Sequence, residues 1–101
     1  MNKKPVLSIC IPTYNRAALV YECVSGILKS KSEDIEVVVS DNASEDTTSL
    51  LLSKIKDDRF HYTRNKTNIG SVNVINVLKL AQGSWLLLIS DECRFLDIEQ
   101  I

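Results

Sequence analysis

Among 101 residues there is a single histidine, His61, and it falls inside a short apolar–polar segment that reads as a strand. Serine and cysteine side chains therefore lack an evident base partner, and a hydrolase triad finds no support. Glycine is nearly as scarce, at three residues. None stands in a Gly-x-Gly-x-x-Gly or P-loop pattern after the first apolar run, which continues instead as Ile11-Pro12-Thr13-Tyr14-Asn15-Arg16. The three cysteines, Cys10, Cys23 and Cys93, are odd in number and form no Cys-x-x-Cys pair. They are expected to be reduced, mostly buried thiols in a cytosolic protein rather than a disulfide or zinc framework. No apolar run approaches the roughly 20 residues of a membrane-spanning helix. A basic start at Lys3-Lys4 is followed by an apolar run broken at Pro12, so a signal peptide is not expected. The net charge of −1 gives no reason to look for nucleic acid or a membrane surface.

What the chain does have is a regular alternation. Hydrophobic residues make up 45% and charged residues 25%, ordinary for a globular domain with a modest core. Val6–Ile11 is a short apolar run that Pro12 is expected to close, with Asn15 available to cap the following helix. Leu19, Val20, Cys23, Val24, Ile27 and Leu28 then fall on one helical face. Ile35–Val39 is a β-branched run of the kind buried on both faces of a parallel sheet, and it stops at Asp41-Asn42-Ala43-Ser44. Ser44 is the expected N-cap of a second helix, with Glu45 and Asp46 in its first turn and Asp57-Asp58 closing it. Phe60–Thr63 reads as a third strand. After a polar loop ending at Gly70, a third helix carries Val74, Val77, Leu78 and Ala81, and Gly83 is its expected left-handed stop. Trp85–Ile89, the most apolar run, is expected to be a central strand.

The order β-α-β-α-β-α-β predicts an α/β fold: a three-layer α/β/α arrangement on a mostly parallel sheet of about four strands, in one domain spanning residues 1–101. Asp41 and the Asp91-Glu92 pair then lie at strand ends on one rim, where open α/β sheets bind ligands. For Asp41 the alternative is a plain turn cap. Two adjacent carboxylates repel unless donors or a cation neutralise them, and hard divalent ions take such oxygen ligands together with substrate phosphates.

Four segments in register resemble the amino-terminal half of a family 2 glycosyltransferase of the GT-A fold. They are Leu7–Arg16 with its Pro-Thr-Tyr-Asn-Arg loop, Glu36–Thr48, Asn68-Ile69-Gly70 with Asn76 and the turn Ala81–Trp85, and Leu87–Cys93 where the family has its acidic motif. The resemblance implies a nucleotide-diphosphate sugar as donor. It places Pro12, Thr13 and Tyr14 along base and ribose, Asp41 as an acceptor from the base, and Arg16, Asn42, Asn68 and Gly70 in the nucleotide site. Asp91 and Glu92 would hold Mg²⁺ or Mn²⁺ on the diphosphate, although the motif reads Asp91-Glu92-Cys93 where two or three aspartates are usual, and Ile75 stands where the family is often basic.

The same resemblance implies a longer enzyme whose catalytic base and acceptor-binding half lie outside this chain. The acceptor would be a glycan, lipid or protein, and the location cytoplasmic, at the inner membrane face in the longer protein. Bare apolar surface on the isolated half would favour a homo-oligomer. The other class of function is a catalytically inactive nucleotide-binding or oligomerisation domain on the same fold. A phospho-acceptor receiver domain would need acids after the first strand, and none is there.

Overall fold

The computed structural model describes residues 4–93. Strands β1 (Leu7–Thr13), β2 (Ile35–Asp41), β3 (Phe60–Arg64) and β4 (Trp85–Leu88) alternate with helices α1 (Ala17–Ile27), α2 (Thr48–Leu52) and α3 (Val72–Leu80). The sheet runs β3-β2-β1-β4 and every pairing is parallel. Side chains alternate across it with period two. Ile9, Ile11, Val37 and Val39 pack with Val20, Cys23, Val24 and Ile27 of α1 and Leu52 of α2. Cys10 and Val38 point to the other face and meet Val77 of α3. The three-layer α/β/α expectation holds, with α1 and α2 on one face and α3 on the other.

Several local expectations do not hold, each for an identifiable reason. Pro12 does not end β1, which continues to Thr13 in register with Asp41 of β2. The Val6 and Cys10 carbonyls accept from Trp85 and Ile89 on the β4 side, whereas Thr13 O accepts from Asn42 N on the β2 side. By that alternation Pro12 faces β4, whose ladder already stops at the Cys10–Leu88 pair, so its missing N–H interrupts nothing.

Helix α2 begins at Thr48 rather than after Ser44 and ends at Leu52, well before Asp57. Asp46 Oδ1 accepts from Thr48 N and Oγ1, while its Oδ2 takes Ala17 N at the start of α1. One aspartate thus serves two helix starts, doing the work assigned to Ser44 and Asn15. Asn15 instead adopts a left-handed φ of 52° and accepts from Glu45 N.

Gly83 is not in the left-handed region either; α3 leaves into extended backbone at Ala81. Its lack of a side chain is needed because a Cβ there would stand 2.6 Å from Ser8 Oγ and 2.9 Å from Ser8 N. Buried Glu36 fastens the same turn, its Oε2 accepting from Ser8 Oγ at 2.5 Å and from Gln82 N at 2.6 Å.

Strand β4 is an edge strand of the described sheet, not a central one. Its four side chains are all exposed, Trp85 at 71%. Composition had pointed to burial, but β1 is its single partner in the described sheet. The thiol expectation also fails in part. Cys23 on α1 is disulfide-bonded to Cys93, across 70 residues of sequence, and only Cys10 is a free, buried thiol. The ground for expecting a reducing compartment therefore no longer rests on three thiols. No described helix is long and apolar enough to cross a membrane.

Candidate functional site

The sequence of the strands decides where a cleft can open. From β1 the chain steps outward to β2 and β3, then returns to the opposite side of β1 with β4, so the order reverses between β1 and β4. At such a switch point the connections after the two strands diverge to opposite faces and leave a crevice at the carboxyl ends. A cavity of about 420 Å³ lies there. Pro12, Thr13, Tyr14 and Arg16 come from the end of β1 and its loop, and Ser90, Asp91 and Glu92 from the turn after β4. Asn42, Gly70, Asn73 and Val74 form the remaining wall.

The acidic turn is held from two sides. Thr13 Oγ1 donates to Asp91 Oδ2 at 2.9 Å, which ties the ends of β1 and β4 together. Arg16 Nη1 lies 3.8 Å from Asp91 Oδ1 and is hydrogen-bonded to Glu92 Oε1. Asp91 is buried and Glu92 exposed, so one carboxylate is fixed and the other faces water. Among the described residues no group of three or more His, Cys, Asp or Glu side chains is gathered for a metal. The two carboxylates are nonetheless of the kind that suits a hard cation whose remaining ligands come from a bound phosphate.

Asp41 is in a different position from the one expected. It has no exposed surface and does not line the cleft. Its Oδ1 accepts from Ser44 N at 2.9 Å and Ser44 Oγ at 2.5 Å, and its Oδ2 from Tyr62 OH at 2.6 Å. Ser44 Oγ in turn accepts from Asn15 N. A carboxylate so buried and bonded braces the turn behind the first loop. The turn needs bracing, since Ala43 holds a left-handed φ of 65°, a conformation that costs an alanine about 1–2 kcal/mol. Burial first, and the bond to Asp41 second, push the Tyr62 phenol up to about 12.

A profile of the family described as glycosyl transferase family 2 matches residues 8–98. The chain belongs to that family. It is 31% identical over 96 residues to a GalNAc(5)-diNAcBac-PP-undecaprenol beta-1,3-glucosyltransferase of Campylobacter jejuni, covering 91% of this chain and 31% of that protein. Among solved structures, the mannosyltransferase PcManGT of Pyrobaculum calidifontis, in complex with GDP-Man and Mn²⁺, superposes with a TM-score of 0.81 at 22% identity. The match covers 97% of this chain and 30% of PcManGT. TarS of S. aureus in complex with UDP gives a TM-score of 0.74 at 26% identity, over 86% of this chain and 27% of its own. The fold is thus that of GT-A glycosyltransferases, and the chain spans about a third of the length of the curated relatives it matches.

Within this family 2 chain, six of the eight expected nucleotide-site residues line the cleft: Pro12, Thr13, Tyr14, Arg16, Asn42 and Gly70. Both expected metal ligands, Asp91 and Glu92, line it too. Asn68 stands behind it, its Oδ1 accepting from Asn42 Nδ2 and Gly70 N at 2.8 Å each. That contact supports Gly70, whose φ of +63° a side chain would strain.

Asn73 was not foreseen. It is buried, lines the cleft and donates Nδ2 to Ser40 O at 2.8 Å. Its Oδ1 accepts from Ser40 Oγ and Asn65 Nδ2. Asn76 Nδ2 reaches Ser40 Oγ and Asn65 Oδ1. These amides fasten α3 and the loop before it to the end of β2, fixing one wall. The signal was available: Asn73 is four residues before core Val77, so a polar side chain interrupts the buried stripe of α3.

Proposed function

We propose that this chain is the donor-binding part of a glycosyltransferase that takes a sugar from a nucleotide-diphosphate sugar to a glycan, lipid or protein acceptor. The single observation that carries the reading is the cleft at the β1–β4 switch point, which gathers the first loop, Asn42, Gly70 and the acidic turn in one space. The nucleotide-bearing structures of PcManGT and TarS, of the same fold, support a nucleotide as ligand.

In this reading the exposed ring of Tyr14 offers an apolar face to the base, with Pro12 beside it. Asn42 keeps its side chain committed to Ile69 N, Asn65, Asn68 and Gly70 O, so it shapes the wall instead of reaching out. Thr13 orients Asp91 by holding its Oδ2. Asp91 and Glu92 would hold Mg²⁺ or Mn²⁺, which when bound stabilises charge gathering on the departing diphosphate. Arg16, beside them, offers a second positive group to the phosphates.

The test is calorimetric titration of UDP and GDP in Mn²⁺ and in chelator. Metal-dependent binding that Asp91→Asn removes is expected. Equal affinity in chelator and Mn²⁺ would reject the cation role, and no binding of either nucleotide would reject the site.

A second reading, a nucleotide-binding domain without chemistry, is favoured by one specific feature. The acidic motif departs from paired aspartates, and an arginine already stands on it. Sugar release from a panel of nucleotide sugars separates the two.

A further inference from the structure

We propose that Arg16 and a divalent cation are alternative occupants of the Asp91–Glu92 pair, so that cation binding releases the guanidinium into the cleft to meet the diphosphate. This rests on the donor-site reading above and adds the means by which the site couples its two ligands.

The same nitrogen, Arg16 Nη1, approaches both carboxylates. A cation held by these two carboxylates would come close to that nitrogen. A guanidinium cannot coordinate the ion, and like charges so close repel. The two occupants therefore exclude each other.

The arrangement is also easy to open. Arg16 and Glu92 side chains are 46% and 56% accessible, and an ion pair exposed to that degree contributes little to stability. Asp91, in contrast, is kept in place by Thr13 after Arg16 leaves. Arg16 is the N-cap residue of α1, and its side chain makes no cap hydrogen bond that must be broken. The cleft into which it would turn is the one it already lines. Without a cation, Arg16 offsets the repulsion of two adjacent acids. With one, its charge is freed for a phosphate, for which a guanidinium has the right paired donors.

Coupling of this kind has a signature that simple phosphate contact lacks. Removing Arg16 should help the cation when no nucleotide is present and weaken the cooperation between cation and nucleotide when it is. By linkage the cooperation is the same whichever ligand is varied.

The experiment measures free aqueous Mn²⁺ by electron paramagnetic resonance in titrations of wild type, Arg16→Ala and Arg16→Lys, each with and without UDP or GDP. Circular dichroism checks that the variants are folded, which exposed Arg16 leads us to expect. In Arg16→Ala the Mn²⁺ affinity without nucleotide should rise roughly threefold to tenfold. The factor by which a nucleotide tightens Mn²⁺ should fall by a similar amount. Arg16→Lys, which keeps a charge on a flexible stem, should lie between. Mn²⁺ binding by Arg16→Ala alone, with none by wild type, would also support the proposal.

Unchanged or weaker Mn²⁺ affinity in Arg16→Ala overturns it. If nucleotide binding then persists, the donor-site reading survives that failure. Absence of Mn²⁺ and nucleotide binding from all three proteins overturns both.

Discussion

Replacing Asp41 by alanine should damage the fold rather than a ligand contact. The side chain is fully buried and accepts three hydrogen bonds, two from Ser44 and one from Tyr62. Hydrogen bonds to a charged acceptor contribute about 1.5–3 kcal/mol each, and a buried donor left without a partner costs about 1–3 kcal/mol. The three are not additive, because Tyr62 is half-buried and can regain water, whereas buried Ser44 cannot. A net loss of about 3–5 kcal/mol follows, near the cost of breaking a buried charged network. A domain of this size has only about 5–15 kcal/mol to lose. Asp41→Asn, which keeps the volume but can accept at only one oxygen, should lose about 1.5–3 kcal/mol. Urea unfolding followed by far-ultraviolet circular dichroism is the assay of choice, since Trp85 is too exposed to be a sharp fluorescent probe. A double-mutant cycle with Tyr62→Phe should give a coupling of at least about 1 kcal/mol. A loss below about 1 kcal/mol in Asp41→Ala, together with loss of nucleotide affinity, would show that the carboxylate faces a ligand and that its role as a brace is wrong.

Three further outcomes can be checked. Because the Tyr62 phenol is pushed up to about 12 in the folded chain, its contribution is present below the ordinary tyrosine value near 10 and is lost as pH rises from there toward 12; alkaline unfolding should be shallower in Tyr62→Phe. Reducing Cys23–Cys93 opens a loop of 70 residues and should lower stability by about 2–4 kcal/mol, and an alkylating agent at pH 8 should then label half-buried Cys93 well ahead of buried Cys23 and of buried Cys10, whose thiol burial pushes up to about 11. Gly83→Ala should cost about 1–3 kcal/mol in thermal or urea unfolding, since the new methyl meets Ser8 and Leu7 backbone that cannot give way.

The elements and their order were legible because their signals are local. Val37, Val38 and Val39 cannot all be buried except in a strand covered on both faces, and Val20, Cys23, Val24 and Ile27 share one helical face. The errors concern pairings distant in the chain. Asp46 captures Ala17, 29 residues away, and Asn15 captures Glu45, 30 residues away, so the helix starts are set by two loops meeting and not by either loop's own capping residue. The Cys23–Cys93 pair is farther apart still, and a count of three cysteines carries no geometry. Trp85–Leu88 was misplaced because apolar composition reports that a strand wants cover, whereas pairing alone decides whether it is central. In the site, the residues of the first loop and the acidic turn follow from their places beyond strand ends. The asparagine wall does not, because Asn65, Asn73 and Asn76 find one another only after α3 has packed on the sheet.

Asp41 and Asp91 show how far a place in the sequence goes toward a role. Each follows a buried run, each lies near the carboxyl end of a parallel strand, and both are at most 8% exposed. What separates them is the supply of local donors. The turn after β2 folds back so that Ser44 offers two donors to Asp41, and neighbouring β3 brings Tyr62 to the third position. Strand β4 is at the edge of the described sheet and has no neighbour there on its outer side to do the same for Asp91. Its side-chain donor is Thr13, across the switch point, with the exposed charge of Arg16 3.8 Å from its other oxygen. A carboxylate surrounded by fixed donors is structural, because no ligand can improve on them. A carboxylate held at one oxygen and balanced at the other by an exposed ion pair is far less tightly fixed. In the described sheet, the edge position of β4 is thus also what leaves Asp91 with one side-chain donor where Asp41 has three hydrogen bonds.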